Sequence, residues 1–455
     1  MTDLPFQLTA LAVLQGSVAV LVSGHILLHK KHVRSAIGWL GLVWLAPLVG
    51  AALYGVFGIN RIRRRAVQLR GEVPQVAGPV ESIEPGALKG LAKLGGRVTG
   101  LPLTSGNEVE LLVDAEQVYP AMLQAIEQAR ETVLLVTYIF STDEVGKSFV
   151  EALAQAHARG VRVRVLIDGV GAHYSFPTVL GALQRRGVDA RLWLFSWNPG
   201  RMPFINLRTH RKLLVVDEVA ITGGMNLSGG PTRDLMARVT GPVVAQLHEA
   251  FRQDWRFTAR EDLPPPVVHD GQGSVLARAV VDGPDEQHAR TWRLLFGALA
   301  GARKRVAIVT PYFLPEEDLE TVLETTALRG IQVDLLLPKK SNLPYLHWAA
   351  RSELDTLVEA GVRVWWVDGP FDHTKLMVVD DTWTLMGGSN WDTRSLRLNF
   401  ELNLECHDAD LCARAWALVA ERLGRATPVT LDELVGRSTL TKLVDGAARL
   451  GKPYL

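Results

Sequence analysis

Two long stretches without charge open the chain. Residues Leu4 to Leu28 carry no charged side chain apart from the titratable His25, and Ala36 to Asn60 carry none. Each matches the ~20 apolar residues that a helix needs to cross a hydrocarbon core. Pro47 and Gly50 fall inside the second stretch, where membrane helices tolerate them better than soluble helices do. The connector His29-Lys-Lys-His-Val-Arg34 is short and polar. The pattern therefore predicts a transmembrane helical hairpin over residues 1–60, with His25, His29 and His32 at its interface. Met1-Thr-Asp-Leu lacks the basic leader of a cleaved signal peptide. Arg61, Arg63, Arg64, Arg65 and Arg70 follow the second stretch, against Lys30, Lys31 and Arg34 in the connector. That excess places the rest of the chain on the cytoplasmic side.

Residues 61–105 read as a basic flank and linker, since Pro, Gly and small residues follow one another there without periodicity. From Gly106 onward the pattern alternates. Val109 to Val113 reads as a strand and Tyr119 to Arg130 as an amphipathic helix. Thr132 to Phe140 is a buried strand, Phe149 to Arg159 a helix, and Val161 to Ile167 a strand. After the break at Pro264-Pro-Pro266 the order recurs: helix Gln287 to Ala302, strand Val306 to Val309, helix Leu319 to Arg329, strand Ile331 to Leu337, helix Ala349 to Ala360, strand Val362 to Trp366. This alternation implies an α/β fold. Two tandem α/β lobes are expected, over 106–262 and 263–424, related by a pseudo-two-fold axis, with a C-terminal tail over 425–455.

The clearest sign of duplication is a polar motif. Leu207-Arg-Thr-His-Arg-Lys-Leu-Leu-Val-Val-Asp217 and Phe371-Asp-His-Thr-Lys-Leu-Met-Val-Val-Asp380 share His-x-Lys followed by an apolar run and Asp. The offset is 163 residues, His373 minus His210. A turn follows each copy, Gly223-Gly-Met-Asn226 and Gly387-Gly-Ser-Asn390. By chance, one such motif is expected about 0.03 times in a chain of this composition. On a strand, positions i and i+2 share a face, so each copy directs one imidazole and one ammonium to a common space.

Composition narrows the chemistry. Net charge is +1 over 455 residues, so no basic field marks the chain as a nucleic-acid binder. Hydrophobic residues make up 47%, in keeping with membrane segments. Cys406 and Cys412 do not amount to a disulfide framework or a metal set, and read as buried packing residues. No carboxylate or Cys/His cluster calls for a metal, and no cofactor is implied.

Two lysines in one cavity attract an anion, and two histidines supply a nucleophile and an acid. A phosphodiester uses all four. One neutral imidazole attacks phosphorus, the ammonium groups offset charge on the equatorial oxygens, and the second imidazole protonates the departing alkoxide. Asn226, Ser389 and Asn390, on the turns, are candidate donors to phosphate oxygens. A carboxylate facing a phosphodiester would repel it, so the side chains of Asp217 and Asp380 are expected to hold turns or neighbouring backbone.

At these residues the chain resembles the phospholipase D superfamily and, within it, the bacterial cardiolipin synthases. The second motif extends as Gly388-Ser-Asn-Trp-Asp-Thr-Arg-Ser-Leu-Arg-Leu-Asn-Phe-Glu401. Likeness also covers Trp39, Pro47, Gly50, Tyr54 and Gly58 of the hairpin, Gly106-Asn107, Tyr138-Ile-Phe140 with Asp143, Thr310-Pro-Tyr-Phe313, and the tail from Arg437 to Leu455. The resemblance implies a catalytic set of His210, Lys212, Asp217, His373, Lys375 and Asp380, with Asp234 and Glu401 orienting the imidazoles. It implies a membrane enzyme that joins two phosphatidylglycerol molecules into cardiolipin and glycerol through a phosphohistidine. Alternatives are hydrolysis on the same site, transfer to another alcohol, or a nuclease of the same superfamily. The first lobe departs from the family pattern twice. The turn after Asp217 is one residue shorter than that after Asp380, and Thr232-Arg-Asp234 stands where the family has Trp-Arg-Asp.

Overall fold

With no charge to interrupt it, the first apolar stretch forms one helix, Asp3–His29. Its segment Gln7–His29 is long and apolar enough to cross a membrane. The computed structural model describes residues 3–30, 33–58, 88–194, 207–284 and 289–452, and the chain divides into two compact units, Met1–Arg65 and Ala66–Leu455.

In the first unit the second apolar stretch is shorter as a helix than its sequence predicts. Helix Val33–Leu45 ends at Ala46, and a separate helix Pro47–Leu53 runs into a π-helical turn, Tyr54–Gly58. Pro47 causes the break, because its ring clashes with the carbonyl four residues back and it has no N–H to donate. The chain folds back so closely that a Cβ on Gly50 would lie 2.6 Å from the Leu42 carbonyl oxygen. Polar groups inside the unit are paired: His25 Nδ1 lies 2.9 Å from the Tyr54 hydroxyl, and Trp44 Nε1 donates to Ser23 Oγ at 3.1 Å. His32 and the arginines from Arg61 to Arg70 lie outside the described residues.

The second unit is built on two mixed sheets of the same design. The first has seven strands in the order Glu108–Val113, Leu235–Thr240, Val219–Gly223, Leu213–Val216, Thr132–Thr137, Arg162–Asp168, Asp189–Trp193. The second repeats this order as Gly273–Asp282, Glu401–His407, Trp383–Gly387, Leu376–Val379, Arg305–Val309, Gln332–Pro338, Arg363–Val367, with one further strand at each edge. Those edge strands correct two boundaries. Thr104–Gly106, whose first two residues read as linker, pairs with Gly273–Asp282, and Ala426–Pro428, read as tail, pairs with Arg363–Val367.

Residues 88–99 also leave the expected linker. They form helix Lys89–Thr99, which buries Leu91 and Val98 in the second lobe's core. Its glycines serve this packing. The Arg278 guanidinium lies where a Gly95 side chain would project, 1.8 Å from an added Cβ, and there bonds Glu405 at 2.5 Å and the Ala92 carbonyl at 3.3 Å. The expected helix Ala349 to Ala360 is two helices, Pro344–Arg351 and Leu354–Glu359. Helix Val243–Ala259, unremarked in the sequence, lies buried along most of its length. It contributes Val244, Leu247, Phe251 and Trp255 to one apolar cluster that includes strands of both sheets. The lobes thus share a core.

The C-terminal helix Thr439–Arg449 has its polarity inverted. Asp445 is 1% exposed, paired with Arg351 at 2.7 Å and Arg437 at 2.5 Å, whereas Leu440, Leu443 and Leu450 are 72%, 66% and 80% exposed.

Candidate active site

Each motif reaches its sheet after pairing with the opposite lobe. His210 N donates to the Phe400 carbonyl at 2.9 Å, and Phe400 N donates to the Arg208 carbonyl at 2.8 Å. In the mirror arrangement Phe371–Asp372 runs parallel to Thr232–Arg233, and His373 N donates to the Arg233 carbonyl at 2.8 Å. Phe400 immediately precedes Glu401, and Arg233 immediately precedes Asp234. This backbone exchange therefore delivers a carboxylate from each lobe to the histidine of the other. His210 Nδ1 lies 3.0 Å from Glu401 Oε1, and His373 Nδ1 lies 2.8 Å from Asp234 Oδ2. With Nδ1 engaged by a carboxylate, Nε2 is the other nitrogen of each ring, and that of His373 lies beside the Lys375 ammonium at 2.8 Å.

The regular strands begin only at Leu213 and Leu376, so His210–Lys212 and His373–Lys375 are extended segments ahead of them rather than strand residues. Lys212 is 2% exposed and its ammonium donates to the His210 carbonyl at 2.9 Å. Lys375 is 4% exposed and donates to the His373 carbonyl at 2.5 Å, with its nitrogen 2.8 Å from His373 Nε2. Both histidines line one cavity of about 450 Å³ together with Asn226, Asp234 and Asn390. A larger hollow of about 1230 Å³ lies at the other end of the first sheet, around Arg130, Asp217 and Pro264 to Pro266, and holds neither histidine. Volume does not identify the site here; the converging imidazoles do.

Asp217 and Asp380 do not join the histidines and leave the catalytic set. They sit at the far ends of the strands in the left-handed region, at φ 48° and 51°. Asp217 accepts from the backbone N–H of Arg130, Glu131 and Thr132 at 2.8, 3.1 and 2.8 Å. Asp380 accepts in the same way from Arg303, Lys304 and Arg305. Each carboxylate ties its turn to the start of the neighbouring central strand. The turns themselves differ by a residue, between Val216 and Val219 in one lobe and Val379 and Trp383 in the other. Thr232, at the missing tryptophan, lines the cavity.

Ser389 is also displaced from its expected part. Its hydroxyl accepts from Asn403 Nδ2 at 2.8 Å, and it is not among the residues lining the cavity. Asn226 lines it while accepting from Ile139 N at 3.1 Å through Oδ1.

Other cavity residues had no site role in the sequence reading, Tyr138 and Tyr312 entering it only as points of family likeness. The Tyr138 ring stands edge-on to His210 with centroids 5.3 Å apart, and the Lys212 ammonium lies 5.5 Å over it. Tyr312 takes the corresponding place near His373 at 6.3 Å. The parallel between Thr137-Tyr138 and Thr310-Pro-Tyr312, each after a central strand, was the available signal. Arg208 and Arg394 line the cavity too. Asp168 accepts from Thr209 N at 2.8 Å and so holds the approach to His210. Asp143 caps helix Glu144–Ala158 through Gly146 N at 3.0 Å. Trp193 is core, and Trp197 lies outside the described residues.

Burial dominates the electrostatics. It holds His210 well below the usual imidazole range, helped by the charges of Lys212 and Lys375. It brings His373 down to about 4, helped by Lys375 and opposed by Asp234. Both rings are therefore neutral at pH 7, as a nitrogen nucleophile requires. Burial also lowers Lys212 to about 7 and Lys375 to about 8 and raises Glu401 to about 7, the neighbouring opposite charges resisting each shift.

A pH dependence follows. An ammonium group is charged below its pKa, so kcat/KM for an anionic substrate should fall as pH rises through about 7 to 8. A bound phosphate favours the charged lysines, so the alkaline limb of kcat should lie at higher pH than that of kcat/KM. Coincident limbs in a pH–rate profile would contradict this assignment.

Comparison with known proteins agrees with the duplicated domain. Residues 122–255 and 295–422 match the family model described as "Cardiolipin synthase, PLD-like domain". The chain is 31% identical to cardiolipin synthase A of Pseudomonas putida (strain W619), over 96% of each chain. It is 30% identical to a cardiolipin synthase of Geobacillus sp. (strain WCH70), over 98% of this chain and 94% of that one. Among solved structures, phosphatidylserine synthase of Haemophilus influenzae Rd KW20 superposes with a TM-score of 0.62, covering 80% of this chain and all of that one at 15% identity. That last likeness concerns the fold.

Proposed function

Since the chain belongs to the cardiolipin synthase family of phospholipase D-like proteins, we propose that it transfers a phosphatidyl group from one phosphatidylglycerol to the primary hydroxyl of a second, giving cardiolipin and glycerol. The observation that carries this reading is the cross-lobe exchange, which pairs His210 with Glu401 and His373 with Asp234 around one cavity.

The steps follow from the two imidazoles. Nε2 of one attacks phosphorus, forming a P–N bond as the P–O bond to glycerol breaks. The carboxylate on its Nδ1–H offsets the charge that develops on the ring. The other imidazole, taking up a proton from solvent as the anionic substrate binds, gives that proton to the departing glycerol oxygen. Lys212 and Lys375 neutralise the non-bridging oxygens, with Asn226 and Asn390 as further donors. In the second half the incoming hydroxyl loses its proton to the now neutral imidazole, its oxygen bonds phosphorus, and the P–N bond breaks. This chemistry asks for no metal or cofactor.

Membrane attachment is part of the reading. It is supported by helix Asp3–His29 and by the outward leucines of Thr439–Arg449, which suit an apolar surface better than water. The excess of arginines after residue 60 supports a catalytic body on the cytoplasmic side.

Purified full-length protein in mixed micelles with labelled phosphatidylglycerol should yield cardiolipin and glycerol in equal amounts. Phosphatidic acid as the main product would instead make the protein a hydrolase. An absence of lipid products would reject both.

A further inference from the structure

Arg208 Nη1 and Arg394 Nη2 are buried without any hydrogen-bond partner, although both residues line the cavity that holds the histidines. Neither guanidinium is paired with a carboxylate among the described residues. The acid nearest in sequence to Arg394 is Asp392, and it is occupied as a helix cap, accepting from Ser395 N at 2.6 Å. Asp168 is likewise spent on Val170, Gly171 and Thr209. Both arginines line the same cavity as the two histidines. Two cations with unfilled donors in one cavity are a costly arrangement unless an anion joins them.

We propose that Arg208 and Arg394 form a second anion site, which holds the phosphodiester of the acceptor lipid while the donor phosphate reacts between the histidines. The inference rests on the phosphatidyl-transfer reading above and deepens it. Lys212 and Lys375 already match the reacting phosphate, so the arginines are surplus to any reaction in which water is the acceptor. A lipid acceptor differs from water in bringing a second phosphate, one glycerol unit from its attacking hydroxyl. A guanidinium presents a planar fork that binds phosphate oxygens in pairs. Two buried amide oxygens of the same cavity, Asn390 Oδ1 and Asn399 Oδ1, also lack partners and suit the hydroxyl donors of a glycerol headgroup. In the transfer step the acceptor oxygen bonds phosphorus as the P–N bond breaks, its proton passes to the free imidazole, and its own phosphodiester stays intact on the arginines.

The test compares two reactions of one protein in phosphatidylglycerol micelles. Exchange of labelled free glycerol into phosphatidylglycerol needs only the donor phosphate, whereas cardiolipin formation needs both. In Arg394→Gln and in Arg208→Gln, cardiolipin formation should fall at least about tenfold further than glycerol exchange, the loss expected when a charged hydrogen bond is removed. Phosphatidic acid should rise in its place, and Arg394→Lys should recover part of the ratio. Because both rates come from the same preparation, a poorly folded variant lowers them together. Equal loss of both, or loss of neither, overturns the proposal. A separate arm does not depend on turnover. In the full-length wild-type protein, sn-glycerol phosphate should slow modification of Arg208 and Arg394 by phenylglyoxal, read by peptide mass spectrometry. Unprotected arginines overturn the site, whereas protected arginines in a protein that makes no cardiolipin would retain the site and reject the transfer reading.

Discussion

Replacing His210 by Ala, or His373 by Ala, should each lower turnover at least about 10³-fold, and the double variant should be scarcely worse than either single one. Each imidazole performs a task that the other cannot take over in the same step. One forms the P–N bond while the other moves the proton, so removing either stops the cycle. Independent lobes would behave differently, each retaining about half the activity when the other is disabled. The exchange of carboxylates argues against that, because His210 is held by Glu401 and His373 by Asp234. Steady-state rates of the three variants in micelles decide it. A His373→Ala protein that keeps a tenth of wild-type activity would mean that the lobes work alone. Mass spectrometry of a rapidly quenched reaction then identifies the histidine that carries phosphorus.

The second large effect is on stability. Arg211 lies between His210 and Lys212 but takes no part in the cavity. It is fully buried, with Nη1 2.6 Å from Asp254 Oδ2, Nε 3.2 Å from the Glu401 carbonyl and Nη2 3.2 Å from the Asp282 carbonyl. Asp254 is on a first-lobe helix, whereas Asp282 and Glu401 are on second-lobe strands. One side chain therefore spans the lobes directly behind the catalytic carboxylate. Arg211→Met leaves Asp254 charged and unpaired in the core, which should cost about 3–5 kcal/mol. Arg211→Met with Asp254→Leu removes both charges and should recover part of that loss, although two carbonyls lose the donors that Arg211 supplied. Thermal unfolding in detergent measures the cycle. A double variant less stable than the single one would contradict an ion pair whose main burden is the charge left behind.

Much of the candidate site was legible from the repeat alone, because a motif of five or so residues encodes its own local geometry. His-x-Lys places two groups on one side of an extended segment whether or not the strand has yet begun. The boundaries of the sheets were less legible. Thr104–Gly106 and Ala426–Pro428 are short edge strands, and three residues carry no period to detect. Helix Lys89–Thr99 was hidden because three glycines lower its helix propensity, and it forms by packing on the second lobe around Arg278.

By itself, then, the amino-acid sequence determined the duplication, the α/β class of each lobe, the charge-free N-terminal stretches, and the repeated motif that carries His210, Lys212, His373 and Lys375. These are properties of spacing and composition, which local backbone geometry turns into structure directly. Only the tertiary structure decided which backbone Asp217 and Asp380 hold, that Arg211 clamps the lobes, and that Arg208 and Arg394 line the cavity with unpartnered donors. The same holds for the hydrogen bonds that bring Glu401 to His210 and Asp234 to His373, residues 191 and 139 positions apart. The physical reason is distance along the chain. A contact across so many residues depends on which sheet edges meet and in what register, and those are settled by the shared core rather than by any local pattern of residues.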